Sequence, residues 1–128
     1  MNTPSVDAVV FTDIVGIEHN IKSRGARVKL IGTLELGILL EIQREKKNRF
    51  DKNACAVHLK GKKIGYIPRK VAKDLAPRLD CGGKFVFFIS DFSATISPAY
   101  EILSIKVTGV RLARSRSSRR DRPSLRKS

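Results

Sequence analysis

Tryptophan is absent from this chain, and two Tyr, two His, two Cys and one Met leave little material for cofactor or redox chemistry. Two cysteines cannot build a disulfide framework, and Cys55 and Cys81 read as buried thiols rather than a bridge. His19 and His58 stand alone, with no CxxC or HxxxH spacing, so no metal site is expected. There is no Gly-rich phosphate loop, no GxSxG and no Cys–His pairing, and Asp51 alone cannot hold a catalytic metal. Neither an enzyme nor a cofactor is therefore expected, and no catalytic residue is assigned. No run approaches the roughly 20 apolar residues of a membrane span. The opening MNTPSVDAVVFTD carries two Asp and no basic residue, unlike a signal peptide. These absences point away from a membrane and toward the cytoplasm or nucleoid, or the nucleus in a eukaryote.

Positive charge is abundant. The 128 residues hold 26 Lys and Arg against 12 Asp and Glu, a net +14. Half of the excess lies in RLARSRSSRRDRPSLRKS (111–128), with eight basic residues and one Asp, a net +7. That segment is too poor in apolar side chains to offset its ordering entropy, so a disordered basic tail is expected after a domain ending near residue 110. Residues 1–110 carry 18 basic and 11 acidic residues, also +7. A body as basic as its tail favours a polyanionic partner, because Lys and Arg gain by releasing counterions condensed on phosphates.

Patterning within the first 110 residues is mostly that of short strands. Ala8–Phe11 and Ile14–Ile17 are rich in β-branched residues, and Leu34–Leu36 with Ile38–Ile42 form an apolar stretch bent at Gly37. Ala54–Leu59 and Ile64–Ile67 flank a Lys-Gly-Lys-Lys turn and read as a hairpin. Pro68 opens a helix whose Val71, Leu75 and Leu79, with Ala72 and Ala76, make one apolar stripe; Pro77 is expected to limit it and Cys81–Gly83 to stop it. Phe85–Ile89 and Ile102–Val107 are further strands, joined by a Ser/Ala/Thr/Pro loop. The expectation is a mainly β fold of about six strands with one short helix after the fourth, forming a small closed or partly closed barrel.

The segment Arg44–Ala54, REKKNRFDKNA, is peculiar for a plain loop. Arg44 ends a strand, and Lys46, Lys47, Arg49 and Lys52 surround Asn48, Phe50, Asp51 and Asn53. Such a set suits single-stranded nucleic acid: cations track phosphates, an aromatic face stacks a base, and Asn and Asp bond base edges or sugar hydroxyls. The same residues also suit a structural loop, with Asn48, Asp51 and Asn53 forming turns through their own backbone and Phe50 plugging the barrel.

The run REKKNRFDKNACAV followed by GKKIGYIPRKVAKDLAPRLD resembles the HIRAN domain family. That family shows an Arg-Glu/Asp strand end, Asn, a spacer, an aromatic, Asp, a spacer and Asn-Ala, then a Gly-Tyr/His-Ile-Pro element and a Leu/Ala-rich helix. Val15–Gly16–Ile17 and Gly32–Leu36 match the family's first two strand approaches, so the likeness spans roughly residues 8–107. The resemblance implies an OB-like or SH3-like β-barrel that captures single-stranded DNA at a free 3′-hydroxyl end, in repair or at replication forks. By position it puts Phe50 on the terminal base and Asp51 on the 3′-hydroxyl, with Asn48 beside them and Tyr66 reaching the same pocket. Arg44 and Lys52 complete the implied DNA-binding set, together with His19 and Asn20. Where the DNA-binding relatives carry Arg and aromatics after Val-Gly-Ile, this chain has Glu18–His19–Asn20; His19 can stack and Asn20 can bond, but Glu18 has the wrong sign for a phosphate.

Relatives are fused to fork-remodelling helicases and to nucleases, which makes a helicase or nuclease partner in trans an expectation for this chain, itself expected to be a monomer. Two other functions fit the composition: an RNA-binding OB-like protein, and a protein-interaction adaptor with a non-specific basic tail.

Overall fold

The structure, a computed structural model, describes residues 6–112. Six antiparallel strands form one curled sheet: β1 (Val6–Asp13), β2 (Leu39–Arg44), β3 (Cys55–Leu59), β4 (Lys62–Tyr66), β5 (Phe85–Ile96) and β6 (Glu101–Leu112), in spatial order β1-β6-β5-β2-β3-β4. The half-barrel closes where Val15, just past β1, exchanges backbone hydrogen bonds of 2.8 and 2.9 Å with Tyr66 at the end of β4. Gly65 permits this approach: a Cβ there would sit 2.5 Å from Ile14 Cγ2 and 2.6 Å from the Val15 carbonyl. β3 forms the centre, with Cys55, Ala56 and Val57 fully buried, and Ile64, Leu75, Ile89, Ile105 and Val107 pack around it.

Three helices accompany the sheet. α1 (Ile17–Asn20) and α2 (Arg24–Thr33) join the expected one, α3 (Arg69–Asp80). The short α1 replaces the strand expected over Ile14–Ile17, because Gly16 adopts a left-handed φ of 74° and turns the chain. α2 gave no clear periodic signal: it contains Gly25 and Gly32, both weak helix formers, and no fully buried residue. Tertiary contacts hold it. Ser23 Oγ caps its start by accepting from Ala26 N–H at 3.0 Å, and Arg24 and Arg27 both clamp the nearly buried Glu101 carboxylate. Arg27 Nη1 also donates to the Ile21 and Lys22 carbonyls, tying α2 to the end of α1.

Other boundaries differ from expectation. Leu34–Leu36 is loop rather than strand, and the sheet resumes at Leu39. The expected loop after Ile89 is largely strand, since β5 continues through a register shift at Ile89/Asp91 to Ile96, opposite Glu101. α3 runs through Pro77 to Asp80, with that proline on its exposed side. β6 extends through Arg111 to Leu112, past the Val107 at which the expected strand ended. The remainder of the expected tail lies outside the described residues. Both cysteines are free; Cys55 is buried, its thiol pushed up by burial to about 11, whereas Cys81 is exposed.

Candidate nucleic-acid interface

The loop 45–54 joins β2 to β3 and is closed at its base by the Glu45 N–H donating to the Ala54 carbonyl at 2.9 Å. Asn48 organises its tip. Its Oδ1 accepts from the N–H groups of Phe50 (2.9 Å) and Asp51 (3.1 Å), while its Nδ2 donates to Glu45 Oε1 at 3.0 Å. Asp51 Oδ1 accepts from the Asn53 N–H at 2.9 Å. Asn48 and Asp51 thus act as turn formers through their own backbone. Phe50, in contrast, plugs nothing: its ring is 84% exposed. Its backbone is held on both sides, by Asn48 at the N–H and by the Arg69 guanidinium at the carbonyl.

Glu45 is the hub beneath this loop. Its carboxylate accepts from Asn48, from the Tyr66 hydroxyl at 2.7 Å and from Lys63 Nζ at 2.8 Å. Burial alone would raise its pKa, but the hydrogen bonds from Lys63, Asn48 and Tyr66 outweigh it and hold the carboxyl at about 2. Lys63 is pushed up by the same bond to Glu45; it also donates to the Tyr66 oxygen at 3.0 Å and lies 5.0 Å from the centre of that ring. The hydroxyl of Tyr66 is engaged here as donor and acceptor, so in the free protein Tyr66 braces the loop.

The remaining site residues fall into two groups. Arg44 is largely buried: Nε and Nη2 grip Asp80 at 3.0 and 3.1 Å, Nη1 donates to the Ala54 carbonyl at 2.8 Å, and Nη2 also donates to Lys52 O at 3.0 Å. That guanidinium staples both strands at the loop base to α3. Asn20 likewise turns inward and donates to the Gly16 carbonyl at 2.8 Å. Lys52 and His19 are exposed, His19 at 84% of its side chain with the exposed Glu18 only 3.8 Å away. The Val15–Tyr66 bridge places α1, which carries His19, beside β4.

Sequence reading missed Glu45, Lys63 and Arg69 as parts of this site. Arg69 is exposed and sets its Nε 3.8 Å from Asp51 Oδ2 while holding the Phe50 carbonyl. The available signal was proximity to the motif: Glu45 opens the loop, and Lys63 and Arg69 flank Gly65–Pro68. Among the described residues no group of three His, Cys, Asp or Glu side chains could hold a metal ion. What the arrangement offers is an exposed aromatic face on a rigid backbone, a carboxylate with one oxygen uncommitted to hydrogen bonds, and a rim of Lys46, Lys47, Arg49, Lys52 and Arg69.

The HIRAN domain family profile matches residues 8–110. Among solved structures, the HIRAN domain of human HLTF superposes with a TM-score of 0.64 at 14% identity, covering 91% of this chain and 84% of that one. A protein from Lactobacillus plantarum superposes with a TM-score of 0.60 at 24% identity, covering 84% of this chain and 98% of that one. No curated protein sequence matches. The match over residues 8–110 and the shared half-barrel mean that this chain belongs to the HIRAN domain family.

Proposed function

We propose that the chain is a non-catalytic, single-stranded DNA-binding module that captures free 3′-hydroxyl ends during repair or replication-fork processing. Family membership supports DNA binding as the general activity. One observation carries the finer reading: Phe50 presents an 84% exposed ring on a backbone pinned by Asn48 and Arg69. An exposed aromatic held rigidly loses little entropy when a base stacks on it, and such stacking is worth about 1–3 kcal/mol. Beside it, Asp51 spends Oδ1 on the Asn53 N–H but keeps Oδ2 for a hydroxyl donor, since Arg69 stands 3.8 Å away. Arg69 and the exposed lysines then meet the preceding phosphates. On α1, His19 offers a second, weaker stacking face, and Glu18 opposes a phosphate there.

The test compares single-stranded oligonucleotides ending in 3′-hydroxyl or 3′-phosphate, with wild type, Phe50→Ala and Asp51→Asn, using RNA of the same sequence as competitor. Phe50→Ala is expected to weaken both complexes by about 1–3 kcal/mol, roughly 5- to 150-fold. Asp51→Asn keeps the Oδ1 cap on Asn53 but removes the charge, and is expected to abolish preference for the 3′-hydroxyl. Equal binding of both ends by all three proteins overturns end capture, and stronger binding of RNA overturns DNA as the ligand.

A further inference from the structure

We propose that the cleft between β2 and β5 is a docking site for an extended segment of a partner protein, in which apolar residues alternate with acidic ones. The two strands begin as a regular pair. Ile89 donates its N–H to the Ile38 carbonyl at 3.0 Å, and Leu40 stands opposite Phe87. That parity aims the backbone groups of Ile42 and Phe85 at each other as the next rung of the ladder. The rung is absent: the β2–β5 register ends at Leu40 and Phe87, although β2 stays paired with β3 as far as Arg44. The strands splay instead, and a cleft of about 650 Å³ opens between them. Among the described residues, neither Ile42 nor Phe85 has a backbone partner on that side.

The make-up of the cleft selects its occupant. Its walls are apolar: Leu39, which is 66% exposed, Ile42, Leu79 and Phe85, whose ring stacks on the buried Phe87 at a centre distance of 5.6 Å. Open strand edges on both walls offer N–H and C=O groups that an extended peptide meets with its own. Such a peptide sends alternate side chains to opposite faces. Apolar residues at every second position then fill the walls, and those between them reach the rim. That rim is cationic, with exposed Lys60 in the β3–β4 turn and exposed Lys84 before β5. The one acidic group there, Glu41, accepts from Gln43 Nε2 at 3.2 Å. His58 also lines the cleft, and its buried Nδ1 has no hydrogen-bond partner among the described residues.

Other occupants match less well. Arg111 stands opposite Phe85, so residues 113–128 begin beside the cleft, but they carry seven basic residues against one Asp and only Ala113 and Leu125 as aliphatics. Lys60 and Lys84 repel such a segment. Nucleic acid finds largely aliphatic walls, and no residue proposed above for DNA lines the cleft. The two sites share no residue, so a DNA end and a partner protein can be held together, and either site stands if the other fails.

The test titrates a pool of acetylated heptapeptides, Glu alternating with Val, Leu, Ile or Phe, into the isotope-labelled full chain. The expected result is a shift and slowed exchange of the Ile42 and Phe85 amides. Acidic peptides are drawn to any part of so basic a chain, so a scrambled pool of the same composition and a fully N-methylated pool serve as controls. Each should bind roughly tenfold more weakly, as the loss of one or two backbone hydrogen bonds implies. Leu39→Glu and the Lys60→Glu/Lys84→Glu double variant should each lose the preference for the alternating pool. Leu39→Glu, at an exposed position, should keep wild-type melting and oligonucleotide binding, and Phe50→Ala should bind the peptides as wild type does. Unchanged Ile42 and Phe85 amides, equal binding of the control pools, a preference that survives these substitutions, or displacement of the peptides by a single-stranded oligonucleotide overturns the proposal.

Discussion

Replacing Glu45 by Gln keeps the shape of the side chain beneath the loop but removes the charge that Lys63, Tyr66 and Asn48 share. Its carboxyl falls from an ordinary 4.5 to about 2 in the folded protein. A tenfold change in proton affinity is worth about 1.4 kcal/mol, so the upper bound on the coupled stability is about 3 kcal/mol. Both partners are partly exposed, 28% for Glu45 and 35% for Lys63. Screening by solvent reduces the expected loss to about 1–2 kcal/mol at neutral pH. The direction with pH follows from the lowered value: the stabilisation is complete above about 4.5 and disappears as pH falls toward 2. Lys63, raised by the same contact, reports that interaction from its other end, complete below 10.5 and lost as pH rises beyond it. The assay is urea unfolding of wild type and Glu45→Gln at a series of pH values. The gap between the two should shrink to less than half its neutral value by about pH 3. Equal stability at neutral pH, or a gap that stays constant down to that pH, refutes the hub role of Glu45.

Two further outcomes follow from the same geometry. Arg44→Met removes four hydrogen bonds, two to Asp80 on α3 and two to the Ala54 and Lys52 carbonyls of the loop, and should cost about 2 kcal/mol, on the order of 10 °C in melting temperature, while leaving the salt slope of oligonucleotide binding unchanged. Normal melting with a reduced salt slope would instead put Arg44 on a phosphate. Gly65→Ala forces a methyl group against Ile14 and the Val15 carbonyl where the half-barrel closes, and should lower stability by about 2 kcal/mol or more in urea unfolding; an unchanged midpoint shows that closure does not need that approach.

Much of the β-framework was legible because its signals are local. The hairpin around Lys60–Lys63, the α3 stripe and the apolar strands each carry their period in a few adjacent residues. The central strand is a partial exception: Cys55–Ala56–Val57 is buried on both faces, which no alternation reveals. α2 was not legible, since what holds it is Arg24 and Arg27 reaching Glu101, more than 70 residues away. The extension of β5 through Ser93–Ile96 was equally hidden: its small Ser93 and Ala94 with Thr95 read as loop and become strand by pairing with β6.

The site divides in the same way. The motif from Arg44 to Pro68 identified the family, because residue type and spacing alone carry that information, but left Phe50 open as a stacking face or a plug of the barrel. Which polar groups remain available to a ligand depends on partners distant in sequence. Asp80 engages Arg44, Glu45 engages Tyr66, and Arg69 fixes the Phe50 carbonyl. Composition and local pattern therefore determined a basic, mainly β chain with a loop suited to nucleic acid. Only the tertiary structure decided that Asn48, Arg44 and Tyr66 brace that loop while Phe50 faces outward, because a hydrogen bond is assigned by proximity in space rather than along the chain.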